Sequence, residues 1–235
     1  MELLTIGHSN YEMNTFISLL QKHEVTAIAD VRSSPYSRFL PHFNRPALKE
    51  ALATEEIRYV FLGQELGARP RNRESYDNGK AVYEKIAATD EFQEGIQRVF
   101  KGVKKYRLSL MCAEKDPLTC HRAILVCQHL RHFNLQIDHI LRNGDLESHS
   151  HLEQRMLEKH GFTNFLETKG EAQLSLFTQQ NNNLLTREEC LEKAYKLQGD
   201  EIAYVEKRDD DHDQPNQPIH NWIHSEERSE VLRDA

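Results

Sequence analysis

Over the first 170 residues, short apolar and β-branched runs alternate with longer stretches whose apolar positions recur every three or four residues. Glu2–Gly7 (ELLTIG) predicts a strand, and Phe16, Leu19 and Leu20 then share one face of a helix. Val25–Val31 (VTAIADV), Ile57–Leu62 (IRYVFL), Tyr106–Cys112 and Gln136–Ile140 predict further strands. Pro46–Ala53, Ala81–Phe100, Cys120–Phe133 and Leu152–His160 predict the helices between and after them. Strands alternating with helices predict an α/β fold, here a single three-layer domain over residues 1–170 with a mostly parallel, Rossmann-like sheet covered on both faces.

Such sheets bind ligands beyond the carboxyl ends of their strands. The residues just past those ends are His8 and Ser9, Asp30, Arg32, Ser33 and Ser37, Gly63 and Gln64, then Cys112 and Glu114. Four separate stretches are thus expected to deliver polar, ionisable groups to one edge.

Beyond residue 170 the character changes. Residues 171–185 read as a polar linker with one apolar island, QLSLF. Residues 186–235 read as a short helix (Thr186–Leu197) and a flexible acidic tail, so the C-terminal part is expected to be mostly extended or helical. The net charge of −7 is unevenly spread. Residues 1–170 carry 23 Lys+Arg against 22 Asp+Glu, whereas residues 171–235 carry 7 against 15, so only the front part suits a polyanion. The sequence lacks an apolar run of about 18 residues and a secretory pattern at its start, which predicts no membrane partner. Four cysteines without framework spacing predict reduced thiols and a cytoplasmic protein.

The densest chemistry lies in LMCAEKDPLTCHRAIL, Leu110–Leu125. With Thr119 as N-cap, Cys120, His121 and Arg122 would occupy a first helical turn. Free N–H groups and a guanidinium there favour an anion, and Cys120 would gain thiolate character. Cys112 and Cys127 read as small core residues. A zinc site of Cys112, Cys120 and His121 is disfavoured, because C-x7-C-H lacks paired short hairpins and offers only three ligands. No metal site or cofactor motif is therefore assigned, although a divalent metal at Asp30 and Glu114 stays open.

Asp30 and Glu114 could form a catalytic acid/base pair; the alternative is a structural Asp30–Arg32 pair. His8 reads as a loop histidine or a catalyst. Ser9, Arg32, Ser37, His121 and Arg122 are the expected ligand or phosphate contacts. Arg69, Arg71, Arg73 and Lys80 would meet a DNA backbone or form a solvated loop. Tyr36, Phe39 and Phe43 could stack on bases or cap the core.

Five motifs in order, TIGHS (5–9), DVRSSPYSR (30–38), LGQELGARP (62–70), LMCAEKDPLTCHR (110–122) and HI (139–140), resemble the bacterial family named domain of unknown function 488, over roughly residues 1–170. The resemblance implies a compact α/β domain and no settled reaction. Its motif residues map onto His8, Ser9, Asp30, Arg32, Ser37, Cys112, Glu114, Cys120, His121 and Arg122. One departure is LGQELG, where related chains tend to read LGG.

QLSLF is similar to the peptide by which bacterial repair and polymerase proteins bind the sliding clamp. Gln173 would bond at a rim while Leu174, Leu176 and Phe177 fill apolar pockets, unless these residues fold back as a last strand. Together these readings predict a hydrolase acting on DNA or nucleotides, with Asp30, Glu114, His8 and Cys120 as catalytic residues. The alternatives are a non-catalytic nucleotide- or DNA-binding adaptor and a thiol enzyme centred on Cys120, which needs Cys112 nearby as a resolving partner.

Overall fold

The computed structural model describes residues 1–166 and 185–206. The apolar runs form β1 (Glu2–Gly7), β2 (Ala27–Asp30) and β3 (Arg58–Phe61). A hairpin of β4 (Tyr76–Asp77) and β5 (Lys80–Ala81) follows, then β6 (Leu108–Cys112), β7 (Gln136–Ile140) and β8 (Leu146–Ser148). Six strands make one sheet in the order β3-β2-β6-β1-β7-β8. Every pairing in it is parallel except β7 with β8. This is the expected α/β architecture with a mostly parallel sheet.

Alternation along the strands feeds two cores. Leu4, Ile6, Ile28 and Met111 pack with Phe16 and Leu20 of α1 (Met13–Lys22) and Leu48 and Leu52 of α2 (Arg45–Thr54). Leu3, Ala27, Ala29, Leu108 and Leu110 face the other way. Their neighbours come from the short α3 (Gly63–Leu66) and α4 (Tyr83–Ala87), from α5 (Asp90–Val103), and from the segment leading into α6 (Gln128–Leu130). Two later helices, α7 (His149–Lys159) and α8 (Arg187–Ile202), complete that side.

Several expected elements differ. The helix expected over Ala81–Phe100 is two, α4 and α5, because Thr89 stops the first and caps the second by accepting a hydrogen bond from Phe92 N. The β4–β5 hairpin follows from Asp77-Asn78-Gly79, with Asn78 and Gly79 both left-handed (φ 48° and 81°). The C-terminal helix is longer than expected and lies in a unit that runs from Met1 to Val205. Its Cys190, Leu191, Ala194 and Tyr195 form one buried stripe in the core, and Thr186 and Glu189 close a capping box at its start. Leu166 N donates to Leu185 O (2.9 Å) and Arg187 N to Leu166 O (2.7 Å), so the chain comes back to Leu166 after residues 167–184. The peptide Gln173–Phe177 lies outside the described residues. Among the described residues no helix is long and apolar enough to cross a membrane.

Candidate functional site

Strands β2, β6 and β1 lie side by side and parallel, so the residues past their ends meet at one edge. Backbone bonds knit these ends together: His8 N to Cys112 O (2.8 Å), Ser9 N to Ala113 O (2.9 Å) and Val31 N to Met111 O (3.0 Å). Ser9 is held in the left-handed region at φ 45°, a conformation that costs a non-glycine residue energy. The segment after β6 crosses directly over the end of β1. A Cβ on Gly7 would lie 1.8 Å from the Glu114 carbonyl oxygen, so only glycine lets the two backbones approach.

The pleat then divides the edge in two. Ile28 lies in the α1–α2 core and Asp30, two positions on, shares its face. Leu110 lies in the opposite core and Cys112 shares that one.

On the α1–α2 side, Asp30 is fully buried. Arg32 Nε donates to its Oδ1 (2.9 Å) and Arg32 Nη2 to its Oδ2 (2.7 Å), while the Tyr59 hydroxyl donates to Oδ2 (2.7 Å). Arg32 Nη2 also donates to Phe43 O (3.0 Å), and its Nη1 lies 3.2 Å from His8 Nε2. The His8 ring stacks on Phe43, with Nδ1 bonded to the Ser9 carbonyl (2.9 Å). Burial, then the adjacent Arg32 charge, lowers His8 to about 4, so the ring is neutral and its Nε2 accepts from Arg32. Burial and the Asp30 carboxylate push the Tyr59 phenol up.

These facts correct two expectations and decide a third reading that was left open. Asp30 is the structural partner of Arg32, not a general acid/base, because both its oxygens are occupied away from solvent. Arg32 is spent on Asp30, Phe43 and His8 and does not present a fork to a phosphate. Phe43 is a core ring, whereas Tyr36 and Phe39 stand out in solvent.

On the other side, Cys112, Glu114, Cys120 and His121 bring one ligand atom each to within 4.8 Å of one another. Both thiols donate to Glu114 Oε2, Cys112 at 2.9 Å and Cys120 at 3.0 Å. His121 Nδ1 lies 3.6 Å from Cys112 Sγ, and its Nε2 donates to Val31 O (3.0 Å). The two cysteines and His121 are buried, whereas Glu114 is exposed as a residue with its Oε2 turned inward onto the thiols.

Burial pushes the Cys112 thiol up. It would do the same to Cys120, but the hydrogen bond from Cys112 and the charges of Arg122 and His121 prevail and hold Cys120 well below its usual value. Burial alone would lower His121, yet its hydrogen bond to Cys120 raises it. Glu114 is raised by burial of its carboxylate and by the Cys120 charge. Burial and the same negative cluster raise Tyr83, a neighbour that its position at the start of a helix gave no reason to single out.

Cys112 is a core residue, as expected, and its thiol also joins the cluster, which makes it the nearby partner the thiol reading required. Cys120 is not in a first helical turn: it is extended (φ −132°) and its carbonyl accepts from Ala123 and Ile124 N. The helix beyond opens as a π-helical segment, Arg122–Cys127. Asp116, not Thr119, caps the preceding turn, by accepting from Leu118 N (2.9 Å), and Arg155 anchors Asp116 from α7 (2.9 Å).

Arg122 is fully buried and does not face a ligand edge. Its Nη1 donates to Glu114 O (2.7 Å), Nη2 to Lys115 O (3.3 Å) and Nε to Thr5 Oγ1 (3.3 Å), which fastens the loop over β1. Ser37 Oγ accepts from Phe39 and Leu40 N, which makes it the turn-former of its own loop. Arg69, Arg71 and Arg73 are exposed, Arg69 lying over the Tyr204 ring at 4.3 Å, and Lys80 pairs with Asp200 (3.3 Å).

No curated protein and no solved structure matches the chain. Residues 12–128, which hold every element from α1 to Cys127 and both clusters apart from His8, match the model of the family described as domain of unknown function DUF488.

Proposed function

We propose that this protein processes nucleotides or DNA, hydrolysing a glycosidic or phosphate ester bond at the carboxyl edge of its sheet. The observation that carries the reading is what rides on the loops leaving that edge. After β2, Tyr36 and Phe39 are 73% and 77% exposed, with the Arg38 guanidinium 5.3 Å over the Phe39 ring. After β3, Arg69, Arg71 and Arg73 are exposed, and Arg69 N donates to Ser33 Oγ (3.0 Å), which joins the two loops. Aromatic faces left in water contribute nothing to the core. Beside guanidinium groups they suit unstacked bases and their phosphates. The exposure of Glu114, alone among the members of the buried cluster, supports it as acid or base towards a substrate lying across the edge. Recruitment to DNA runs, in this proposal, through Gln173, Leu174, Leu176 and Phe177 bound to the sliding clamp.

The test is turnover and binding with a panel of nucleotides and of intact, modified and single-stranded DNAs. Tyr36→Ala with Phe39→Ala is expected to weaken single-strand binding by about 10–100-fold, the loss of roughly one to two stacked bases. Glu114→Gln is expected to lower kcat about 100-fold or more with little change in affinity. Binding without turnover in the unaltered protein supports the adaptor instead, and neither binding nor turnover rejects both. Recruitment is checked separately: Leu176→Ala with Phe177→Ala is expected to abolish capture by purified sliding clamp, and undiminished capture removes the clamp from the proposal.

A further inference from the structure

Arg122 raises a question of charge. Its guanidinium is fully buried, yet three of its hydrogen bonds go to neutral acceptors, two carbonyls and the Thr5 hydroxyl, and it also bonds the Cys120 sulfur. Burying a cation is costly unless an anion balances it nearby. The groups able to do so are the thiols of Cys112 and Cys120 and the Glu114 carboxyl, all of which interact electrostatically with Arg122. Once ionised, these three groups around one point would repel each other unless something positive sat among them.

We propose that Cys112, Glu114, Cys120 and His121 bind one thiophilic divalent cation of the zinc class. Two thiolates, one carboxylate and one imidazole around such an ion leave a single net negative charge, which Arg122 neutralises. The distances suit it. Tetrahedral zinc, with bonds of about 2.3 Å to sulfur and roughly 2.0–2.1 Å to nitrogen or oxygen, sets neighbouring donors about 3.3–3.8 Å apart. Cys112 Sγ is 3.6 Å from His121 Nδ1, and the two sulfurs are 2.9 and 3.0 Å from Glu114 Oε2. Shifts of under about 1 Å at the exposed Glu114 admit the ion.

The imidazole is already oriented for the task. Donation from Nε2 to the Val31 carbonyl fixes the proton there and points the Nδ1 lone pair at the cluster, which is how ligating histidines are commonly held. Taking up the cation displaces the thiol protons to solvent, with no change in oxidation state. The choice of soft ligands selects against magnesium and calcium, which prefer oxygen. Because Glu114 is the exposed ligand, it is the position water or a substrate can take over, as at catalytic zinc centres with three firm protein ligands. The assignment itself does not depend on what the protein hydrolyses.

The experiment uses the full chain, reduced and stripped with a chelator, titrated with cobalt(II) as a spectroscopic stand-in for zinc. A thiolate-to-cobalt charge-transfer band saturating at one equivalent per chain, bleached by one equivalent of zinc and untouched by excess magnesium, is expected. Cys120→Ser and His121→Ala should each weaken cobalt binding by about 100-fold, and Glu114→Gln by roughly 10-fold. Cys190→Ala, whose thiol lies in the core away from the cluster, should leave the titration unchanged. Absence of the thiolate band in the unaltered protein overturns the proposal, as does a band that persists in both Cys120→Ser and His121→Ala. Should those two variants fail to fold, the spectrum of the unaltered chain and the Glu114→Gln titration decide. Nucleotide turnover plays no part in the readout, so a failed hydrolase reading and a failed metal reading are told apart.

Discussion

Replacing Arg32 with methionine is expected to destabilise the fold by about 3–5 kcal/mol, the usual cost of stripping one partner from a buried ion pair. The variant keeps the apolar stem of the side chain, so most of the loss is not packing. What remains is an Asp30 carboxylate with no solvent exposure, supported by the Tyr59 hydroxyl and the Arg32 backbone N–H alone. The Phe43 carbonyl and His8 Nε2 lose their donor at the same time. Arg32→Lys keeps the charge but cannot span Nε, Nη1 and Nη2 positions at once, so an intermediate loss is expected. Tyr59→Phe should cost only about 1–2 kcal/mol, the price of one charge-assisted hydrogen bond. Urea unfolding at pH 7 measures all three. Equal losses for the lysine and methionine variants, or a loss under about 1 kcal/mol for methionine, would show that the pair is not what holds this corner.

The same corner shows how far residue order alone reaches. Runs such as ELLTIG and QIDHI announce strands, because β-branched and apolar residues bounded by polar turns have few other low-energy options, and β1 and β7 fall where those runs do. Parallel pairing follows from the intervening helices, and from it the shared edge of His8, Asp30 and Cys112. What the order of residues does not carry is which face each tip takes. A difference of one position between Asp30 and its neighbours decides whether a carboxylate joins Arg32 or the thiols, and that parity depends on register with β6. Arg122 follows a cysteine and a histidine at a helix start, where an anion-facing role is reasonable. Its burial depends on Gly7 leaving room for the Glu114 backbone to cross β1, an approach between residues more than a hundred positions apart. Glu114 joins the thiols for the same reason. By spacing it lies two residues from Cys112 and six from Cys120, and only the return of the loop turns its Oε2 onto both. The hairpin at Asn78–Gly79 was readable, since that dipeptide favours the left-handed backbone a tight turn needs, but its strands are too short to stand out by alternation.

Acid is expected to unfold the protein early, through a one-way chain of hydrogen bonds behind the thiol cluster. Arg122 Nε donates to Thr5 Oγ1, and Thr5 lies 2.7 Å from His139 Nδ1. His139 Nε2 lies 3.0 Å from His149 Nδ1, His149 Nε2 lies 2.9 Å from the Tyr195 hydroxyl, and Tyr195 donates to Glu153. Because Arg122 can only donate and Tyr195 ends on a carboxylate, the direction is set throughout. Each imidazole accepts at Nδ1 and donates at Nε2, and both are neutral. A proton added to His149 sets two N–H groups against each other, and one added to His139 sets an N–H against the Thr5 hydroxyl that donates to it. Burial, followed by the Arg131 charge, holds His149 at about 4. Burial, then His149, Arg122 and Arg155, holds His139 well below the ordinary value. The unfolded chain titrates these rings near 6.5, so below that pH it binds two protons that the native state refuses. Stability is thus intact above about pH 7 and falls as the pH drops from about 6.5 towards 4, approaching roughly 2.7 kcal/mol per pH unit, or about 4 kcal/mol between pH 7 and pH 5. That is a large share of the stability of a domain this size. His149→Gln keeps an acceptor for His139 and a donor for Tyr195 but removes one titrating ring, so its slope between pH 6 and pH 5 is expected to be shallower by about 1.4 kcal/mol per unit. Urea unfolding at the two pH values reads the difference directly, and identical slopes for the two proteins would place the acid sensitivity elsewhere in the fold.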